Sequence, residues 1–166
     1  MAPSNPFRFI ISIAVCFGAG YLASLYALPL IPVWFNYLNK PDFIPPDSFF
    51  LPIGLIMYFI LGLSLYFIWS SEGNRKDTTL CLYLFIAGLI LNVLWFYVFF
   101  GLQSPLMAFM IMVMLLAVLA STIFQSFRVS IAACILLVPY LIICLILAIV
   151  NYSIYLMNPG LPLMVF

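Results

Sequence analysis

The sequence predicts an all-α membrane protein, a bundle of five transmembrane helices with almost nothing outside the bilayer. Three observations predict it. Of 166 residues, 68% are apolar and 5% are charged, whereas an average soluble domain is about 45–50% apolar and about 25% charged. Five apolar stretches each reach the roughly 20 residues needed to cross a hydrocarbon core about 30 Å thick. The charged side chains are Arg8, Lys40, Asp42, Asp47, Glu72, Arg75, Lys76, Asp77 and Arg128, and all fall between those stretches or at their edges.

The first stretch, 9–29, follows Arg8. A basic residue before an apolar run can open a signal peptide, but this run continues to about Val33. That is well beyond a typical h-region of about 7–15 residues, so it reads as a retained membrane helix. The connection 30–48 is the longest and holds Pro32, Pro41, Pro45 and Pro46, which make it stiff and non-helical. The second span is 49–69, and the connection after it, 70–79, carries Glu72, Arg75, Lys76 and Asp77. The third span, 80–100, leads into a tight polar turn at 101–104. The fourth, 105–124, has no polar side chain over 106–120, which predicts a lipid-exposed helix. A second short polar turn is expected at 125–128. The fifth span, 129–157, would be about 43 Å long at 1.5 Å per residue, so it tilts, bends or projects. Pro139 within it leaves the Ile135 carbonyl without its helical partner and favours a kink. Arg8, Arg75, Lys76 and Arg128 lie on the N-terminal side of these spans, and Lys40 lies on the other. In an inner or plasma membrane that bias puts the N-terminus in the cytoplasm. The sequence does not say which membrane holds the chain.

Several function classes are excluded. A net charge of +1 gives no basic surface for nucleic acid. Histidine is absent, which removes the commonest metal ligand and the usual general base. Cys16, Cys81, Cys134 and Cys144 sit inside apolar runs without CxxC spacing and read as small buried hydrophobes, not as disulfides or a metal site. No Ser/His/Asp set or nucleotide loop is present, so no catalytic residue and no cofactor is assigned. No span carries a carboxylate or an arginine, which argues against an ion or proton pathway.

Polar side chains inside a span normally face the bundle interior. At helical spacing, Tyr58, Gly62, Tyr66 and Trp69 share a face of the second span. Gly88, Asn92, Trp95 and Phe99 share one of the third, and Tyr140, Cys144, Leu147 and Asn151 one of the fifth. Such stripes serve either as glue between helices or as the wall of a mostly aromatic pocket with few polar anchors. Small residues such as Ala19 and Ala23 let backbones approach, and small residues on span faces permit a homodimer.

The segment WFNYLNKPDFIPP at 34–46 resembles the first-loop pattern of the translocator protein family, also called TspO or the peripheral benzodiazepine receptor. LNVLWFYVFFG at 91–101 is similar to that family's third-helix LNxxWxxxFFG. LVPYL at 137–141 and Asn151 resemble its fifth-helix elements, and Pro52, Tyr58, Gly62 and Trp69 match its second helix. The resemblance implies five tilted helices around a pocket for tetrapyrroles such as protoporphyrin IX, for sterols and for benzodiazepine-type compounds. On that footing Tyr58 and Trp95 supply flat walls, and Asn92 and Tyr140 offer hydrogen bonds. Trp34, Lys40, Pro41, Pro45 and Pro46 belong to a lid, whose prolines limit the entropy lost on ordering. Asn151 is read as a contact to a neighbouring helix.

The chain departs from the family at three places. Members commonly carry tryptophan where this chain has Gly54 and Ile143, and the loop's second tryptophan is Phe43. Those first two positions also belong to the ligand site. Their tryptophans are linked in bacterial members to light-dependent porphyrin breakdown, and neither glycine nor isoleucine can stack or give up an electron as indole can. The sterol-recognition pattern begins at Val150-Asn-Tyr152, but no basic residue follows. The expected function is therefore a receptor or carrier for a porphyrin, a sterol or a similar hydrophobic molecule. The alternatives are a light-dependent porphyrin-degrading enzyme, or a structural membrane protein that has lost the pocket.

Overall fold

The computed structural model describes residues 5–44 and 49–159. The chain folds as α1 (Pro6–Ala27), α2 (Phe50–Trp69), α3 (Arg75–Phe96), α4 (Pro105–Val129) and α5 (Ile131–Met157). All five helices are long and apolar enough to cross a bilayer. The protein is a multi-pass integral membrane protein.

Local chemistry sets the helix ends. The Asn5 side chain accepts from the amides of Phe7 and Arg8, and Pro6 opens α1 where no donor is needed. Asn74 accepts from the Lys76 amide, and Asp77 lies in the first turn of α3, where the helix dipole favours negative charge. These caps start α3 at Arg75, five residues before the apolar stretch begins. At its other end α3 widens into a π-turn, Tyr97–Gly101, closed by the Leu102 amide on the Tyr97 carbonyl at 3.0 Å. Gln103 then takes a positive φ of 51° before Pro105 opens α4.

Two expectations about α4 are corrected. Residues 125–128 form no turn: α4 runs through them to Val129, and Ser130 alone separates it from α5. The polar residues there find partners on their own helix and on α3. The Thr122 and Ser126 hydroxyls donate to carbonyls one turn back, at 2.7 and 2.8 Å. Gln125 donates to the Asp77 carboxylate at 3.0 Å. Nor is α4 left to lipid. Ala108, Met112, Leu115 and Leu119 are buried, while Met110, Val113 and Met114 on the other side are exposed. α5 starts at Ile131, and at 1.5 Å per residue it is about 40 Å long. Its helix runs on through Pro139.

Around the bundle α1 packs on α2, α2 on α5, α5 on α4 and α4 on α3, and α3 returns to α1. Small residues set two of the closest approaches. A methyl on Gly62 would lie 2.7 Å from the Ile13 side chain, and one on Gly20 would lie 2.6 Å from the Tyr58 ring. Hydrogen bonds tie the basic end of the bundle. Arg8 donates to the Trp69 carbonyl at 2.9 Å and lies over the Trp69 ring, and Ser71 donates to the Val129 carbonyl at 2.8 Å.

The first loop covers the opposite end. After α1 the chain turns at 28–34 into a short 3-10 helix, Phe35–Tyr37. Phe35 and Leu38 are buried. Trp34 packs edge-on against Phe99 and Phe100 of the π-turn, with centroids 5.5 and 6.2 Å away.

Candidate functional site

The interior of the bundle holds one continuous polar chain. Tyr58 of α2 donates its hydroxyl to Oδ1 of Asn92 on α3 at 2.7 Å. Asn92 donates from Nδ2 to the Tyr140 hydroxyl on α5 at 2.9 Å. Three helices are thus joined through side chains that sequence periodicity assigned only to separate stripes. Asn92 and Tyr140 are each 8% exposed, so the apolar core around them replaces water with these mutual bonds.

Aromatic rings continue the site toward the loop. Trp95 lies three residues beyond Asn92 and is 6% exposed. It stacks on Phe99, with centroids 5.3 Å apart and planes 15° from parallel, and meets Phe96 edge-on. The π-turn brings Phe99 and Phe100 beside one another at 4.9 Å, and Trp34 and Phe35 of the loop pack on both. A column of rings therefore runs from the loop to Trp95, three residues along α3 from Asn92. Within it the Trp95 indole N–H is buried and finds no acceptor among the described residues.

The other expected site residues divide into two groups. Gly54 lies one helical turn before Tyr58, and no atom of the other described elements lies within 4 Å of where a Cβ would stand. Ile143, one turn after Tyr140, is half-buried. In the loop, the Lys40 ammonium sits 4.4 Å from the centroid of the Phe35 ring and donates to the Asn36 side chain at 3.4 Å. Lys40 is thus engaged within its own loop. The Pro41 carbonyl accepts the Ile44 amide in a turn. Pro45 and Pro46 lie outside the described residues. Asn151 donates to the Pro105 carbonyl of α4 at 3.1 Å, a contact between helices.

Gly20 was missed. Its role is the gap it leaves on α1 for the ring of Tyr58, and nothing in a one-dimensional pattern marks which ring will fill such a gap. A cavity of about 20 Å³ lies beside Tyr140, lined mainly by Leu61, Phe85, Leu89, Leu115 and Leu137. That is room for about one water molecule, against roughly 300–1,000 Å³ for a site that takes a drug-sized ligand.

The sequence model of the TspO/MBR family matches residues 12–157. The chain is 32% identical over 157 residues to the tryptophan-rich protein TspO of Archaeoglobus fulgidus, spanning 93% of this chain and 99% of that protein. It is 32% identical over 142 residues to the translocator protein of Sus scrofa, spanning 85% of this chain and 84% of that one. It is 31% identical over 134 residues to the tryptophan-rich sensory protein of Cereibacter sphaeroides, spanning 81% and 80%.

Proposed function

The chain belongs to the TspO/MBR family, and from that premise we propose that it is a membrane receptor or carrier that binds a flat hydrophobic ligand, such as a porphyrin or a sterol, between α2, α3 and α5. The observation that carries the proposal is the Trp95 indole N–H, buried without an acceptor at the junction of the ring column and the Tyr58–Asn92–Tyr140 chain. Buried donors are nearly always paired, so an unpaired one beside a stack of rings suits a ligand that brings both a π-face and an acceptor. Trp95, Phe99 and Tyr58 then supply flat apolar surface. Asn92 and Tyr140 can exchange their mutual bonds for bonds to the ligand. Trp34, Lys40 and Pro41 belong to the loop that covers the site. Gly54 and Ile143 flank it without indoles, so the ligand is held and not photochemically consumed.

The groups that would hold the ligand already bond and stack on one another, so binding exchanges those contacts for contacts to the ligand. The relatives' names, translocator and sensory protein, fit a molecule that responds to or passes on a ligand. The same mutual contacts favour a second reading, a membrane protein that has lost the pocket. A titration with protoporphyrin IX in the dark distinguishes the two. Saturable binding by folded protein in detergent is expected, with the bound porphyrin intact after illumination. Folded protein without saturable binding supports the second reading, and light-driven loss of bound porphyrin supports an enzyme.

A further inference from the structure

We propose that Asn158 is a positioning residue that latches the first loop over the ligand site, by clasping the backbone of Asn39 from both sides. This rests on the reading of the loop as a cover for that site. The Asn39 amide donates to Oδ1 of Asn158 at 3.0 Å, and Nδ2 of Asn158 donates back to the Asn39 carbonyl at 2.9 Å. One carboxamide thus satisfies both backbone groups of one residue, as a neighbouring strand would. Only a group with donor and acceptor on one short planar fork can do this.

Asn158 is itself fixed. Its Nδ2 also donates to the Ile154 carbonyl at 2.7 Å, and Nδ2 of Asn39 donates to the Met157 carbonyl at 3.3 Å. Both carbonyls belong to the last turn of α5, where a helix leaves its acceptors unpaired. The end of α5 is therefore a ready dock, and the loop is what docks there.

The loop is held by two unlike attachments. Over 34–38 it is anchored by buried Phe35 and Leu38 and by Trp34 on the π-turn. At Asn39 it is held by polar bonds at an exposed edge, where water competes for every partner. Beyond Asn39, the bonds of Lys40 and Ile44 stay inside the loop, and Ile44 adds an apolar contact to the core. The polar attachment releases more readily, so loop opening starts at Asn39 while the anchor stays seated. Asn39 and Asn158 lie 119 positions apart in sequence, and neither stands out in it.

Residue-resolved hydrogen exchange tests the latch without a ligand. The variants are Asn158→Ala, Asn158→Asp and Asn39→Ala. Asp is nearly isosteric and keeps the acceptor but loses the donor, so it covers the case in which Asn158→Ala does not fold. Asn158→Ala is expected to speed exchange of the residue-39 amide about tenfold or more; Asn158→Asp keeps that amide's acceptor but sets a carboxylate oxygen against the Asn39 and Ile154 carbonyls, and speeds it by a smaller but measurable factor. The Tyr37 and Leu38 amides, bonded to Trp34 and Phe35 carbonyls, change little. Asn39→Ala keeps both backbone bonds and has the smaller effect. Dissociation of protoporphyrin IX is expected to quicken at least about threefold in Asn158→Asp, at an unchanged melting temperature. Unaltered exchange at Asn39 in a folded variant overturns the latch. So does faster exchange with unaltered porphyrin release. If wild-type protein binds no porphyrin, the ligand reading fails, and exchange at Asn39 still decides whether the latch exists.

Discussion

At the scale of single residues, the site rests on Trp95 and on the Tyr58–Asn92–Tyr140 chain. Trp95→Ala removes the stacking surface shared with Phe99 together with the unpaired N–H. It should weaken protoporphyrin IX binding at least several-fold in an equilibrium titration, and unchanged affinity would remove Trp95 from the site. Asn92→Leu breaks bonds of 2.7 and 2.9 Å to the two tyrosines. Hydrogen bonds between membrane helices contribute about 0.6 kcal/mol each on average, so a loss of about 1 kcal/mol is expected in denaturant titrations in detergent. Gly54→Trp adds a large ring where none of the other described elements comes within 4 Å of the Cβ position. It should leave the melting temperature nearly unchanged while altering porphyrin affinity, because Tyr58 lies one turn away. Which residues face inward was legible from the 3.6-residue period, since a polar side chain in a span turns from lipid. That Tyr58, Asn92 and Tyr140 bond to one another was not legible, because periodicity fixes a face but not the depth at which faces from different helices meet.

At the scale of elements, stretches of about 20 apolar residues announced each helix, and the caps moved the ends. The clearest divergence is at 125–128, where clustered polar residues suggested a turn. The Ser126 hydroxyl bonds its own helix and Gln125 bonds Asp77 of α3. Hydroxyls that donate to the carbonyl one turn back stay in a helix without an unpaired group, so polarity alone did not mark a chain reversal. The π-turn at Tyr97–Gly101 was equally hidden, although its residues carry the FFG pattern and place Phe99 and Phe100 side by side. The packing of α1 on α2 depends on the missing side chain at Gly20. Gly20→Ala would put its Cβ 2.6 Å from the Tyr58 ring and push that ring off its bond to Asn92. Overpacking of this kind costs about 1–3 kcal/mol, a drop visible as a lower melting temperature in detergent. An undiminished melting temperature would mean that the α1–α2 contact yields freely.

At the scale of the whole molecule, five helices close a ring, and side chains of α2, α3 and α5 bond to one another across its middle. The fold class was legible because a chain that is 5% charged cannot present a water-compatible surface. Those bonds were not, since composition does not report which facing side chains meet in a bundle. A ligand bound among them would exchange these contacts, and the first loop with its two attachments is the part best placed to begin such a rearrangement. Arg8, Arg75, Lys76 and Arg128 gather at the end of the ring away from that loop. Were the membrane an inner or plasma membrane, that bias would put this end on the cytoplasmic side. The central claim, a ligand site at Trp95, is tested most directly in a variant that keeps only that tryptophan, with Trp34→Phe and Trp69→Phe combined. Its fluorescence is followed while protoporphyrin IX is added in the dark. Saturable quenching near the wild-type midpoint is the expected result. A folded variant whose emission does not change on addition of porphyrin, or falls without saturating, would contradict it.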